Sequence, residues 1–240
     1  MRPVVRTHVR GLDTELGGGV PAGHVVLLRG ASGTMKSSLA YAILYQNALK
    51  GVKGLYVTLE QDAASLLNQM AALGFKPASV SDSLPILDLG KGRAYLEGLA
   101  AKVRDFTRAR AERPLTAVLK AKIEQLRKEF GFDLLVIDSW SALELVLEFE
   151  DRRRESFEWF EWLRGLGTTT FLIAEAIGAD DGLEEEFLSD AIFRLRLEPV
   201  TETAFQRRIQ CSKMRSANHS TDFFTLVFDG GHFEVAKAIS

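Results

Sequence analysis

The stretch GASGTMKS, residues 30–37, decides the predicted fold because of what lies on each side of it. Residues 24–29, HVVLLR, precede it and form a short apolar run typical of a buried strand. Residues 36–49 continue from it, and their apolar side chains recur at helical spacing. A glycine-containing turn between a buried strand and a helix begins a strand–helix–strand unit, whose strands run parallel.

The same alternation continues along the chain. Strand patterns occur at residues 55–59, 84–88, 133–138 and 169–174, and helical patterns at 62–72, within 91–113, and at 116–130. After Asp190 four strand patterns follow one another without a helix, at residues 191–197, 204–213, 223–228 and 232–236. Asp229-Gly-Gly231 predicts a hairpin turn between the last two. We therefore predict one α/β domain, residues 1–240, with a mostly parallel sheet, helices on both faces and a C-terminal antiparallel extension.

Bulk composition narrows the class of protein. The 240 residues carry a net charge of −2, so no overall basic excess indicates a constitutive nucleic-acid binder. Cys211 is the only cysteine, which excludes an internal disulfide. The N-terminal residues lack the apolar core of a secretory signal, and no apolar run reaches the roughly 18 residues that a membrane span needs. We expect a cytoplasmic protein with no membrane partner.

Residues 30–37 also match the phosphate-binding pattern GxxxxGK[ST], except that Met35 replaces its second glycine. In this pattern backbone N–H groups surround phosphates, the lysine reaches the β- and γ-phosphates, and the hydroxyl holds Mg²⁺. A helix N-terminus suits this role because its free N–H groups and dipole favour anions. We therefore predict that ATP and Mg²⁺ are bound here by Gly30, Ser32, Gly33, Thr34, Met35, Lys36, Ser37 and Ser38.

Met35 leaves one question open. It keeps the N–H that phosphate binding uses, but it lacks the conformational freedom of glycine. With a helical φ it costs little if its side chain points away from the phosphates, whereas a positive φ costs about 1–2 kcal/mol. We expect the unusual conformation at Gly33, which is intact.

Two acids follow neighbouring apolar strands. Asp138 ends the apolar strand pattern at residues 133–138. P-loop ATPases carry the acid that organises Mg²⁺ at this position. Glu60 follows the strand at 55–59, and the carboxyl ends of parallel strands meet where ligands bind. Glu60 is thus predicted near the γ-phosphate, where it can activate water as a general base. Taken singly, Asp138 fits equally well an acid that caps a turn after a strand, and Glu60 fits a surface acid before a helix better than a catalytic one.

With these motifs the chain resembles, nearly end to end, the KaiC-like branch of the RecA superfamily. Residues 11–23 are similar to that family's lead-in to its first strand, and residues 56–61 to its catalytic segment. The family usually carries two acids there. Glu60 matches the first, which the family uses to activate water, whereas Gln61 replaces the second. Residues 136–139 resemble its Mg²⁺ strand, and Ala174-Glu175 with residues 188–190 resemble the segment after its next strand.

The most specific late match is the segment KMRSANH, residues 213–219. In KaiC-like hexamers a Lys-x-Arg-x-x-x-His segment reaches the ATP of the adjacent subunit. The resemblance therefore implies a homohexamer in which Lys213 and Arg215 contact the neighbour's γ-phosphate, with Met214 and His219 beside its nucleoside. Lys213 and Arg215 stand at i and i+2 on a predicted strand, so both charges leave one face. Without the family, two solvated cations on an edge strand are the alternative.

DNA is possible as a partner but is not favoured. The loops that hold DNA in recombinases correspond by resemblance to residues 144–155 and 177–189. The first sets Arg152-Arg-Arg154 among acids, and the second contains DDGLEEE at 180–186, which repels phosphate. The aromatic residues at 157–163 have helical spacing and are interpreted as packing, because a base-stacking platform should come with clustered cations.

The leading hypothesis is a regulatory Mg-dependent ATPase that acts through ATP-dependent assembly or an unknown protein partner. One alternative is a nucleotide-binding scaffold with little turnover, suggested by Met35 and Gln61. The other is a recombinase-like DNA-repair factor, which needs a basic channel. KaiC itself has two tandem domains and this chain has one, so a clock function is not implied.

Overall fold

A computed structural model of the chain describes residues 3–90, 94, 97, 98, 114–176 and 184–237. These residues form a nine-stranded sheet and a separate two-stranded pair. The strands are β1 Val4–Val5, β2 Val20–Pro21, β3 Val25–Gly30, β4 Gly54–Thr58, β5 Ile86–Asp88, β6 Leu134–Asp138, β7 Thr169–Glu175, β8 Ala191–Pro199, β9 Phe205–Met214, β10 Phe223–Asp229 and β11 His232–Lys237. The α-helices are α1 Leu12–Glu15, α2 Lys36–Ala48, α3 Ala63–Ala72, α4 Pro114–Phe130, α5 Trp140–Leu147, α6 Arg152–Gly165 and α7 Glu184–Leu188, with a 3₁₀ turn at Pro77–Val80.

The order of strands in the large sheet is β11-β10-β9-β8-β3-β7-β6-β4-β5. The six strands from β8 to β5 pair in parallel, whereas β9, β10 and β11 are added antiparallel beyond β8. This confirms the predicted fold class. The glycines of the predicted turn explain the last hairpin: Asp229 pairs with His232, and Gly230 and Gly231 both have positive φ, of 51° and 84°.

Side chains that alternate along the central strands supply two cores. On β3, Val26 and Leu28 face the cluster that contains α2, while Val25 and Leu27 face the cluster that contains α5 and α6. A parallel sheet needs such cover on both faces because its crossover connections place helices on both sides. Trp159 and Phe160 of α6 are buried in the second cluster and Trp162 packs against it, which confirms packing for these three aromatic residues, whereas Phe157 is exposed.

The structure differs from the sequence prediction in two places, and two further predictions lie wholly or partly outside the described residues. The short elements α1, β1 and β2 were not predicted, because two to four residues carry too little periodicity to detect. Residues 144–155 are not one loop, since α5 ends at Leu147 and α6 begins at Arg152. The helical pattern within 91–113 and most of the second predicted loop lie outside the described residues. No helix in the described ranges is long and apolar enough to cross a membrane.

Candidate active site

The loop at residues 30–37 joins the end of β3 to the start of α2. Gly30 is required by close approach: a Cβ atom there would lie 2.4 Å from the Leu195 carbonyl oxygen on the neighbouring strand β8. Gly33 has a φ of 80°, which confirms the conformation expected for it. The side chain of Thr34 turns inward, donating from Oγ1 to the Ala31 carbonyl at 2.8 Å. The loop is therefore shaped by its glycines and by bonds within itself.

Met35 also adopts the left-handed conformation, with φ 70° and ψ 30°. From the sequence we expect a positive φ at Gly33. In the structure both Gly33 and Met35 have a positive φ. A side chain at positive φ costs about 1–2 kcal/mol, because its Cβ crowds the following carbonyl. The Met35 side chain packs partly against the core cluster that contains α2, while the residue also lines the cavity described next.

A cavity of about 350 Å³ opens beside this loop at the carboxyl ends of the parallel strands. Its lining includes eight of the residues that the sequence singled out: Ser32, Gly33, Met35, Lys36, Ser37, Ser38, Glu60 and Asp138. They come from the loop, from α2 and from the ends of β4 and β6. The structure therefore brings together Glu60, both predicted metal ligands and six of the eight predicted phosphate-binding residues, while Gly30 and Thr34 do not line the cavity.

Lys36 folds back onto the loop. Its Nζ atom donates to the carbonyl oxygens of Gly30 at 2.7 Å and Ala31 at 2.9 Å. Burial lowers the pKa of Lys36, while the nearby carboxylates, Glu175 first among them, act to raise it. The ammonium group is therefore held in the cavity beside the backbone N–H groups that are expected to face phosphate.

Asp138 and Ser37 form the candidate metal site. Asp138 is buried at the end of β6, and its Oδ2 accepts a hydrogen bond from the Tyr56 hydroxyl at 2.5 Å. Burial raises the pKa of Asp138, whereas hydrogen bonds from Tyr56 and Ser37 lower it. One hydroxyl and one carboxylate fit Mg²⁺, which prefers oxygen ligands and takes few from the protein when phosphates supply others. Within the described ranges, no cluster of three or more His, Cys, Asp or Glu side chains offers a closed metal site instead.

Glu60 lies just beyond β4, exposed at the rim of the cavity. Its carboxylate accepts a short hydrogen bond from the hydroxyl of Ser139, the residue after Asp138. The same hydroxyl accepts from the N–H of Ala142 and so caps α5. Gln61, in contrast, donates to Ser65 Oγ at 2.9 Å and Gln69 Oε1 at 3.2 Å, so its side chain lies along α3. Glu60 is thus the acid at this strand end that is oriented toward the metal strand.

Six cavity residues were not among the predicted site residues: Gln69, Leu73, Ser139, Ile173, Glu175 and Arg207. Ser139 and Glu175 stand inside segments on which the resemblance rests, so that signal was available. Arg207 had none. It lies on the antiparallel strand β9, and its Nε atom donates to the Gly33 carbonyl at 3.3 Å. Only the β3-β8-β9 pairing brings it to the loop.

Lys213 and Arg215 lie away from this cavity. The strand β9 ends at Met214, so Arg215 is not on the strand, as predicted, but in the turn beyond it. Lys213 pairs with Ile192, which pairs with Leu27, three residues before Gly30 along β3. Neither cation is among the described residues that line the cavity.

Both cations contact the end of α7 in their own chain. Lys213 Nζ donates to the Glu186 carbonyl at 2.8 Å, and the Arg215 guanidinium donates to Asp190 Oδ1 at 3.0 Å. The two side chains share the Phe187 carbonyl, each at 3.3 Å. They do converge on one face, as predicted, although through a strand end and a turn rather than through strand alternation.

The other two residues of this segment differ in exposure. Met214 is 5% exposed and belongs to the core of its own chain, so only its main chain is available to a neighbour's nucleotide. His219 is partly buried, with Nδ1 3.4 Å from the Ala217 carbonyl, and its Nε2 is buried without a hydrogen-bond partner in the described structure.

The family model "ATPase: KaiC" matches residues 5–237, almost the whole chain. This chain belongs to the KaiC family of ATPases. Its nine-stranded sheet, its phosphate loop and the acid that ends β6 accordingly form a RecA-like P-loop core. Family membership supports ATP binding and ATPase activity in general terms.

Individual relatives agree with this assignment. The circadian clock oscillator protein KaiC of Picosynechococcus is 30% identical over 94% of this chain, which spans 43% of the clock protein's length. A UPF0273 protein of Aeropyrum pernix is 27% identical, with 90% of this chain and 86% of that protein covered. The crystal structure of a KaiC-like protein from Pyrococcus horikoshii superposes with a TM-score of 0.80 at 26% identity, covering 98% of this chain and 100% of that one.

Proposed function

We propose that this KaiC-family protein binds Mg-ATP in the cavity beside residues 30–38 and hydrolyses it. The observation that carries the proposal is the meeting of Lys36, Ser37, Glu60 and Asp138 in a single cavity at the ends of parallel strands. Together the four side chains supply three tasks of phosphoryl transfer, namely phosphate binding, metal binding and activation of water, and a chance loop would not be expected to gather them.

The roles follow from position and chemistry. The N–H groups of the loop, with Lys36, hold the phosphates. Ser37 and Asp138 hold Mg²⁺, which when bound neutralises charge on the β- and γ-phosphates. Glu60 orients the attacking water and accepts its proton, and Ser139 keeps the Glu60 carboxylate turned toward the cavity.

Lys213 and Arg215 complete the site from an adjacent subunit, in a homohexamer with ATP between subunits. Two observations support this. Neither side chain lies at the cavity of its own chain. The two side chains also lie side by side, since both donate to the Phe187 carbonyl, and two cations that act on one phosphate must be adjacent. Contributed in this way, the cations stabilise charge that develops on the transferred phosphoryl group, as an arginine finger does.

Phosphate release tests hydrolysis. Wild-type protein is expected to release phosphate linearly with time in Mg-ATP, and Glu60→Gln to lower the rate about 10²- to 10⁴-fold, the usual contribution of a general base. ATP binding by Glu60→Gln, followed by fluorescence, should remain. Gln61→Ala is the matched control, because the Gln61 side chain lies along α3 rather than at the metal strand. Equal rates for wild type and Glu60→Gln would exclude the proposed role of Glu60.

A second candidate is a nucleotide-binding scaffold with little turnover. It is favoured by the positive φ of Met35, which strains the loop, and by Gln61 in place of a second acid. It predicts ATP binding without phosphate release from wild-type protein, so the same assay separates the two.

The proposed cellular role is regulatory, through ATP-dependent assembly or binding of a protein partner. DNA is less favoured as a ligand, because the arginine run near α6 is largely engaged. Arg152 pairs with Glu144 at 2.8 Å and Glu185 at 3.1 Å, and Arg154 lies 3.6 Å from Asp151. A salt-dependent shift of labelled single-stranded DNA in the presence of ATP would revive the recombinase-like alternative.

A further inference from the structure

Tyr56 is a fully buried tyrosine that reaches from one strand to the end of the next. It lies on β4 opposite Val136 of β6, two residues before Asp138. Its ring extends along the sheet under α2, so that the hydroxyl meets Asp138 Oδ2 at 2.5 Å. A phenylalanine would fill the same volume, so packing accounts for the ring but not for the hydroxyl.

The side chain of Ser37 lies near the same hydroxyl, close enough to act on the pKa of Tyr56. The geometry of α2 explains this. Ser37 and Tyr41 stand at i and i+4, on one face of the helix. The Tyr41 ring packs on the Tyr56 ring, with centroids 6.1 Å apart and planes tilted by 57°. One buried hydroxyl therefore donates to Asp138 and lies near Ser37, the two residues that are proposed to hold the metal.

This arrangement limits the motion of the Asp138 carboxylate. A tyrosine hydroxyl has one proton to donate, and Tyr56 gives it to Oδ2 of Asp138. Because the Tyr56 hydroxyl is buried, water cannot replace it as a partner. The bond therefore fixes one oxygen of Asp138 toward the protein interior and leaves the other free for the cavity.

We propose that Tyr56 is a positioning residue for the magnesium site, holding Asp138 in the orientation that Mg²⁺ binding requires. The inference rests on the proposed function. Partners that orient metal-binding groups without touching the metal affect affinity for the ion, while other parts of the ligand bind as before. Tyr56 should thus matter for Mg²⁺ and not for the contacts of ATP with the loop.

The test measures binding of a fluorescent ATP analogue, first in EDTA and then at increasing free Mg²⁺. Tyr56→Phe should bind the analogue in EDTA as wild type does, which also reports that the loop is folded. It should need about tenfold more free Mg²⁺ for the half-maximal change, the lower end of what loss of such a partner costs. Tyr45→Phe is the matched control. It also removes a buried hydroxyl from the tyrosine cluster on α2, but one that contacts Ser79 and the Lys76 N–H instead.

A double-mutant cycle separates positioning from a general structural effect. In an Asp138→Ala background, the further change Tyr56→Phe should leave the Mg²⁺ requirement unchanged, because the hydroxyl then has no carboxylate to hold. An unchanged Mg²⁺ requirement in the single variant overturns the inference and leaves the proposed function standing. Loss of binding in EDTA overturns it as well, since Tyr56 would then be structural. If wild-type protein shows no response to Mg²⁺, the proposed function itself fails.

Discussion

The parallel part of the sheet, strands β8 to β5, gathers its candidate site residues within one chain, whereas the antiparallel part, strands β9 to β11, leads to two candidate residues that lie away from that site. The parallel part brings the loop, Asp138 and Glu60 into one cavity, each oriented by a neighbour from the same chain. The antiparallel part leads to Lys213 and Arg215. Their side chains donate to the Glu186 carbonyl and to the Asp190 carboxylate of the same chain. We propose that the parallel part binds nucleotide within one chain, and that the cations of the antiparallel part act in catalysis only beside a second subunit.

The largest effect is expected from Arg215→Ala. Loss of a finger-type cation should lower phosphate release about 10³-fold or more, while ATP binding to the parallel part persists. Phosphate release and binding of a fluorescent ATP analogue measure the two separately. Arg208→Ala, on the strand β9 that precedes Arg215, is a control, since Arg208 bonds to Thr225 within its own chain. Wild-type turnover by Arg215→Ala would make Arg215 a structural partner of Asp190 and nothing more.

A smaller loss is expected from Ser139→Ala. Without the Ser139 hydroxyl, Glu60 loses its hydrogen-bond donor and α5 loses its N-cap. We expect turnover to fall about tenfold with little change in ATP affinity, and the free energy of unfolding to fall by about 1 kcal/mol.

Two conservative variants separate these effects of Ser139. Ser139→Asp can still cap the helix but cannot donate to Glu60 when ionised, so it should lose turnover and keep stability. Ser139→Thr should keep both. Equal turnover for the Asp and Thr variants would contradict a role in orienting Glu60.

Met35→Gly, in the loop of the parallel part, should raise the free energy of unfolding. Relief of the positive φ returns about 1–2 kcal/mol, against about 0.5–1 kcal/mol for the added freedom of glycine in the unfolded chain. Chemical denaturation should therefore show a free energy of unfolding that is higher by between about 0 and 1.5 kcal/mol. Gly33→Ala, at φ 80°, should change stability in the opposite direction by about 1–2 kcal/mol. A loss of stability in Met35→Gly would show that the packing of Met35 outweighs its strain.

The smallest effect is expected from chemical labelling of Cys211, which measures how readily strand β9 of the antiparallel part opens. Burial raises the pKa of its thiol to about 12, so almost no thiolate exists at neutral pH. A maleimide reagent should leave native protein unmodified and label it fully in denaturant, as mass spectrometry can show. Rapid labelling under native conditions would mean that β9 opens far more readily than its buried position implies.

The parallel part was predictable from sequence because its elements are long and its chemistry is local. The apolar runs of β3, β4, β6 and β7 and the loop before Lys36 carry their signals within a few residues. Contacts that join distant parts of the chain were not predictable. Arg207 reaches Gly33 only through the pairing of β8 with β9, and Tyr56 meets Asp138 only through the register of β4 with β6.

Backbone conformation was the second limit. The pattern GxxxxGK[ST] shows which position lost its glycine, but the φ of Met35 is a property of the folded loop. Likewise, strand alternation placed Lys213 and Arg215 on one face, whereas the chain leaves the strand at Met214 and reaches that face through a turn.

Co-assembly of two inactive variants tests most directly whether the site is shared between subunits. Glu60→Gln and Arg215→Ala chains, carrying different tags, are co-expressed and purified through both tags, and phosphate release is measured. If Arg215 acts on the neighbour's nucleotide, about a quarter of the interfaces in an equal mixture pair an intact Glu60 with an intact Arg215, and a matching share of wild-type turnover returns. If mixed assemblies are as inactive as either parent, each chain must supply its own Arg215, and the account of a shared site is wrong.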